Sequence, residues 1–440
     1  MNHFPDQNSS ASIQTELHLP ELSAVRSAGT KPWSINAWAR RIVLGKFESL
    51  KGGRVVVNNQ GDSTTFGELG SDRLQVAVAV SDPSFYRKLL VGGTIGSAES
   101  YIDNDWGCDN LTDLIRIMIR NMDSVTKMEK RWSGIRSAFH RFRHLARKNT
   151  PEGSRRNIHE HYDLGNEFYR LFLDPTMNYS AGIFDQSVSE RFFPESKSQM
   201  HAASLLKMRH ICERLQLGPG QSVVEIGTGW GALAIHMAKH YGVDVTTTTI
   251  SEEQYHHAVA AVKAEGLEDR VTVLLKDYRD LEGKFDRLVS VEMIEAVGHQ
   301  FLDTYFAKCD SLLKDDGAML IQAITISEQN YEAYRKGVDF IRAYVFPGGC
   351  LPSISSINRS IGRATAMRMI GLEDFSQDYA DTLRHWREAF MDRLAEVRKL
   401  GFDDAFIRLW HFYLCYCEAA FAERRCNSLQ VMFAKNKCEM

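Results

Sequence analysis

Val223 to Gly231 reads VVEIGTGWG. An apolar run carries an acid, Glu225, and then meets glycines at alternate positions, Gly227, Gly229 and Gly231. Glycine has no Cβ, so such a turn bends sharply and brings backbone close to a ligand. The following ALAIHMAKHYG has helical character and ends at Gly242. Strand, glycine turn and helix together aim a helix N-terminus at whatever binds there. The G-x-G-x-G spacing differs from the G-x-G-x-x-G of dinucleotide-binding turns. It suits a nucleoside without a pyrophosphate, such as S-adenosylmethionine (SAM). A tight strand-to-helix turn with no ligand gives the same pattern.

The elements around this turn alternate. A helix from about Glu195 to Leu217 stops at Gly218-Pro219-Gly220, and the glycine motif follows. Strands are then predicted at Val243 to Thr249, Val271 to Leu275, Phe285 to Val291 and Ala318 to Ile324, with a helix from Glu252 to about Glu265. Such alternation predicts an α/β fold, a doubly wound parallel sheet with helices on both faces. Ligands of such sheets sit at the carboxyl ends of the strands. Gly227, Thr249, Asp277, Glu295 and Gln322 fall there. Beyond Ser327 the chain reads as helical until about Cys426, and Leu429 to Lys435 as a returning last strand.

Upstream, residues 1–30 are polar and mixed, as a disordered tail would be. Residues 31–125 read as a small α+β unit. It has a helix at Trp33 to Leu50, strands at Arg54 to Asn58 and Leu74 to Val80, a helix from Pro83 capped by Asp82, and a helix at Leu111 to Asn121. Nothing in it looks catalytic. In residues 126–153, Trp132, Ile135, Phe139, Phe142 and Leu145 recur at helical spacing among Arg131, Arg136, Arg141, Arg143 and Arg147. A basic amphipathic helix suits an anionic membrane surface. A linker packed on the next domain suits the pattern equally. Asn149 to Gly153 ends the segment, and a second domain over 154–440 follows. It opens on Asn157 to Phe184, whose aromatics must be core or line an apolar pocket.

The 440 residues, 44% hydrophobic and 25% charged, suit two globular domains. A net charge of −3 argues against general nucleic-acid binding. Eight scattered cysteines without a C-x-x-C pair give no zinc or redox signature, and Cys415 and Cys417 read as core. The first residues lack the apolar stretch of a secretory signal, and no run reaches the length of a membrane span. The expectation is a cytoplasmic protein without metal.

Six blocks, HYDLGNEFY, MNYSAGIF, VVEIGTGWG, TTISEEQ, EMIEAVG and FPGGCLPS, resemble in identity and order the cyclopropane-fatty-acyl-phospholipid synthase family of SAM-dependent methyltransferases. GGTIGSAESYIDNDW resembles that family's N-terminal domain. The resemblance implies a class I methyltransferase fold with seven strands, the last antiparallel. It implies an unsaturated phospholipid acyl chain as substrate, a homodimer, and peripheral attachment to the inner face of the cell membrane. Gly227 and Gly229 would approach the methionine part of SAM, with Tyr179 and Ser180 on its other side. Thr249 and Gln254 would lie near the ribose, and Asp277 and Tyr278 would flank the adenine. Glu225, Gly231 and Val291 would complete the cofactor site.

The implied chemistry is methyl transfer to a cis alkene, leaving a carbocation. Water must be kept out, aromatic faces can stabilise the cation, and a base must remove a proton so that a ring closes. The resemblance implies a bound bicarbonate as that base, held by Glu295, Tyr379 and the backbone of Ile324. Two positions depart from the family. Ala181 stands where many members carry Cys, and Gln322 where many carry His. Gln322 cannot titrate. Methylation without ring closure, methylation of a small molecule, and lipid binding without catalysis are the other readings.

Overall fold

The computed structural model describes residues 35–59, 61–122 and 164–440. The expected tail, the basic segment 126–153 and the start of the aromatic block lie outside them.

The first unit is built on a sheet of order β2-β1-β3-β4, with β1 Arg54–Asn59, β2 Asp62–Phe66, β3 Gln75–Val80 and β4 Trp106–Cys108. Alternation in β1 buries Val55 and Val57, and β3 lies parallel to it with Arg54 beside Gln75. β2 and β4 were not expected. β2 is almost wholly exposed and shows no apolar alternation, and β4 spans three residues. Helices Ile35–Phe47, Ser84–Ile102 and Leu111–Arg120 accompany the sheet. Asp82 accepts the Ser84 N–H at 2.7 Å at the start of the second helix. That helix is interrupted at Gly93, whose φ of 54° and ψ of −138° only glycine adopts readily.

The second unit carries, among the described residues, a seven-stranded sheet of order β10-β11-β9-β8-β5-β6-β7. The strands are β5 Ser222–Ile226, β6 Asp244–Thr249, β7 Val271–Leu275, β8 Phe285–Val291, β9 Leu313–Ile326, β10 Arg368–Asp374 and β11 Cys426–Ala434. β7, β6, β5, β8 and β9 are parallel, and β11 runs antiparallel to both β9 and β10. This is the class I methyltransferase arrangement. β10 corrects the expectation of an unbroken helical stretch after Ser327. Its burial alternates residue by residue at the sheet edge, and Ile370 and Leu372 stay partly exposed, so its apolar content gave no clear strand signal. Val223, Val224, Leu288, Val289, Leu320 and Ile321 fill the two faces of the central strands.

The helix Asp404–Ala422 joins the two units. Tyr101 meets His411 at 2.9 Å, Arg408 donates to the Tyr101 carbonyl at 2.6 Å, and Arg116 pairs with Glu423 at 2.9 Å. Thr112 donates to Glu418, which also accepts from Arg387 at 2.7 Å. Phe168, Tyr169 and Phe172 from the aromatic block pack with Phe390 and Trp410 in the same core. Phe168, Tyr169 and Phe172 are therefore core, while Tyr179 of the same block lines a pocket, so both readings apply among the described residues. Cys415 is buried and Cys417 partly so.

Candidate active site

The sheet order reverses between β5 and β8, and the glycine turn lies at this switch point. The N–H groups of Gly227 and Thr228 both donate to the Thr248 carbonyl at 3.0 Å, tying the turn to β6. Gly227, Gly229 and Gly231 all have positive φ, at 103°, 53° and 94°. Their reasons differ. A Cβ on Gly229 would meet nothing within 4 Å and would take up open space at the cavity edge. A Cβ on Gly231 would stand 3.1 Å from that of Ala258, so this glycine allows helix packing and does not border the cavity.

Glu225 is buried, accepts from Thr247 at 2.5 Å, and lies within the field of Lys207. Burial pushes its carboxyl up to about 8. At the end of β6 the Thr249 hydroxyl donates to Gln254 Oε1 at 2.9 Å, so both side chains are fixed and buried. At the end of β7 the Asp277 carboxylate is gripped by the Arg279 guanidinium at 2.7 and 2.8 Å. Asp277 therefore reaches the cavity as half of an ion pair. Tyr278 packs edge-on against Tyr305.

A dense polar cluster lies where β8 and β9 end. Val291 faces Gln322 across the sheet, and the next residue, Glu292, takes φ 48°. Its N–H donates to the Gln322 carbonyl at 2.7 Å. Its Oε1 accepts from the Ala181 N–H and from Gln322 Nε2, both at 2.9 Å, and its Oε2 accepts from the Tyr379 hydroxyl at 2.7 Å. Gln430, opposite Gln322 on β11, donates to Gln322 Oε1 at 3.0 Å and so orients the amide. Three residues on, Glu295 Oε1 accepts from the Ile324 N–H at 2.5 Å. Its Oε2 is buried with no hydrogen-bond partner among the described residues. Burial, then the neighbouring Glu292 charge, pushes the Glu295 carboxyl up to about 8. A carboxyl in that state is a proton-bearing donor at neutral pH.

The expected bicarbonate does not fit this arrangement. Ala181, Gln322 and Tyr379 spend their donors on Glu292, and Ile324 spends its N–H on Glu295. Ala181 and Gln322 stand behind the cavity wall rather than in it. Ser180 is also engaged: its hydroxyl accepts from Lys207 Nζ at 2.7 Å, and Asn178 Oδ1 accepts from the same ammonium at 3.1 Å. Tyr179 meets the Tyr413 hydroxyl at 2.8 Å.

A cavity of about 710 Å³ connects these groups. Tyr179, Ser180, Glu225, Gly227, Gly229, Thr249, Gln254, Asp277, Tyr278, Val291, Glu295, Ile324 and Tyr379 all border it. The cavity runs on past Tyr334, Phe346 and Phe421 to Val91 through Ile95 of the first unit. That unit thus walls the site, which its sequence did not suggest. Sequence reasoning also missed Glu292 and Lys207 as site residues. Glu292 could have been found as an acid at a parallel strand's carboxyl end. Lys207 sits mid-helix with no local signal. The glycine edge, the fixed Gln254 and the cavity volume fit SAM.

Known proteins resemble this chain in sequence and in fold. The family model described as Mycolic acid cyclopropane synthetase matches residues 149–431. The tuberculostearic acid methyltransferase UfaA1 of Mycobacterium tuberculosis is 37% identical over 76% of this chain and 77% of its own. The cyclopropane-fatty-acyl-phospholipid synthase of Escherichia coli K12 is 36% identical over 81% of this chain and 87% of its own. Among solved structures, the mycolic acid cyclopropane synthase CmaA1 complexed with SAH and CTAB superposes with a TM-score of 0.58 at 28% identity, covering 64% of this chain and 98% of that one. The switch-point cavity, the glycine turn and these matches lead to one conclusion: the chain belongs to the mycolic acid cyclopropane synthetase family and is a SAM-dependent methyltransferase of class I fold.

Proposed function

We propose that this enzyme methylates the cis double bond of an unsaturated phospholipid acyl chain and closes a cyclopropane. The observation that carries the reading is the single cavity running from the glycine turn, past two buried carboxyl groups, into an apolar aromatic end. SAM supplies a methyl on a sulfonium, electrophilic enough for a neutral alkene. The chain's own residues do the rest. Tyr379, stacked on Phe421 at 4.3 Å, and Tyr179, 5.2 Å from Trp386, offer aromatic faces to a developing cation. The apolar walls keep water from it. A buried carboxylate within the cavity can take the proton that ring closure releases.

Methylation without ring closure is the second reading. A relative 37% identical to this chain is named a methyltransferase and not a cyclopropane synthase, which favours it. The relatives named above support a lipid-like substrate for either. The basic segment 126–153 is assigned to docking on an anionic membrane surface at the cytoplasmic face, and the working enzyme is taken as a homodimer. NMR of fatty acyl esters from cells expressing the chain tests the reading. Cyclopropyl protons are expected, a methyl or methylene branch would establish the second reading, and unaltered acyl chains would overturn both.

A further inference from the structure

We propose that the Glu292 carboxylate is itself the base of the reaction and replaces a bound bicarbonate. The inference rests on the alkene-methylation reading above. Three donors converge on this side chain at 2.7 to 2.9 Å: the Tyr379 hydroxyl, which the family resemblance places on the bicarbonate, and the Ala181 N–H and Gln322 Nε2, from the two positions that depart from the family. A carboxylate presents the same O–C–O fork as bicarbonate, so one can stand for the other. An ionised carboxylate has about four lone-pair positions. Oε1 uses two, on Ala181 and Gln322, and Oε2 uses one, on Tyr379. One position on Oε2 stays open, and Glu292 borders the cavity.

The backbone supports the assignment. Glu292 holds a left-handed φ of 48°, a strained conformation for a non-glycine residue. Its N–H is bonded to Gln322 in that conformation, so the side chain is aimed by β9. Burial raises its pKa, while the three hydrogen bonds and the Lys207 ammonium lower it. Glu295, with one donor on Oε1 and a bare Oε2, is the worse place for a charge. Two buried carboxyls this close do not both ionise readily, and the better-solvated one carries the charge. Glu292 is therefore the base and Glu295 the neutral partner.

The step balances. The alkene π pair forms the bond to the SAM methyl carbon as the C–S pair leaves with sulfur, and the acyl chain becomes a cation. Glu292 then takes a proton from the transferred methyl. The freed C–H pair closes the third bond of a cyclopropane. If a hydride first shifts from the methylated carbon to its cationic neighbour, the same pair forms a C=C bond to the methyl carbon. In both cases carboxylate and cation neutralise each other, and the proton passes to water when product leaves.

The test uses the full chain, SAM and vesicles of a cis-monounsaturated phospholipid, in buffer stripped of carbon dioxide. Wild type is expected to keep its turnover there, with no gain from added bicarbonate. Glu292→Gln is expected to lose about 100-fold or more in turnover, with S-adenosylhomocysteine affinity by calorimetry within about threefold of wild type. Glu292→Ala exposes the three donors, and formate or bicarbonate should restore its turnover about tenfold or more. Wild-type turnover that collapses without bicarbonate and returns with it would overturn the proposal. So would turnover of Glu292→Gln within about threefold of wild type, or a Glu292→Ala chain that binds S-adenosylhomocysteine yet answers to neither anion. A wild type that modifies no acyl chain would instead overturn the reading on which the proposal rests.

Discussion

The Tyr379 hydroxyl donates to Glu292 Oε2 at 2.7 Å, while the Tyr379 ring stacks on Phe421 at 4.3 Å. One residue thus holds the carboxylate by its polar end and the aromatic wall by its face. Tyr379→Phe removes the first role and keeps the second. A hydrogen bond to a charged group contributes about 2 kcal/mol, which corresponds to roughly a 30-fold fall in turnover if it is lost in the transition state. S-adenosylhomocysteine affinity should not change. Single-turnover kinetics beside calorimetry separate the two, and a parallel loss of both would show that Tyr379 only maintains the fold.

Glu295 gives a pH test. Its carboxyl, pushed up to about 8 from 4.5, keeps in the native state a proton that the unfolded chain loses between those values. Stability from this group is fully present below the unfolded value and is lost as pH rises through the folded one. Glu295→Gln keeps an acceptor for the Ile324 N–H and has nothing to titrate. Its melting temperature relative to wild type should rise from about pH 5 to about pH 8.5. A constant difference across that range would mean that Glu295 is ionised in the native enzyme.

Gly229 and Gly231 should answer differently to substitution. Gly229→Ala places a methyl in open cavity space, so it should weaken S-adenosylhomocysteine binding with a stability loss of only about 1 kcal/mol for the left-handed φ. Gly231→Val drives a side chain into Ala258 and should cost about 2 kcal/mol or more of stability. Urea unfolding and calorimetry together measure both. The reverse pattern would exchange the two roles.

Lys207 is buried among Glu225, Asp174 and Glu292, and burial pulls its pKa down to about 8. Lys207→Met keeps the volume and removes the cation. Asn178 and Ser180 lose their shared donor, and buried carboxyls lose a neutralising charge. A destabilisation of about 3 kcal/mol is expected, read by urea unfolding. A change under about 1 kcal/mol would mean that Lys207 is already neutral in the native state.

Much of the site was legible because strand ends in a doubly wound sheet converge, whatever their distance in sequence. Gly227, Thr249, Asp277 and Glu295 could be brought together by counting strands. β10 was not legible, since an edge strand with half-exposed Ile370 and Leu372 lacks a buried face. The role of Glu292 was hidden for another reason. Its donors come from Ala181, Gln322 and Tyr379, far apart in the chain, and only tertiary geometry shows that they point at a side chain. The wall formed by Val91 to Ile95 likewise depends on how the first unit docks on the helix Asp404–Ala422.

The central claim is methyl transfer from SAM to an acyl alkene. Its most direct test incubates the protein with methyl-labelled SAM and vesicles of a cis-monounsaturated phospholipid, followed by NMR of the released acyl esters. The expected result is label in a new carbon bridging or branching at the former double bond. Label absent from the acyl chains, with SAM binding intact, would contradict the claim.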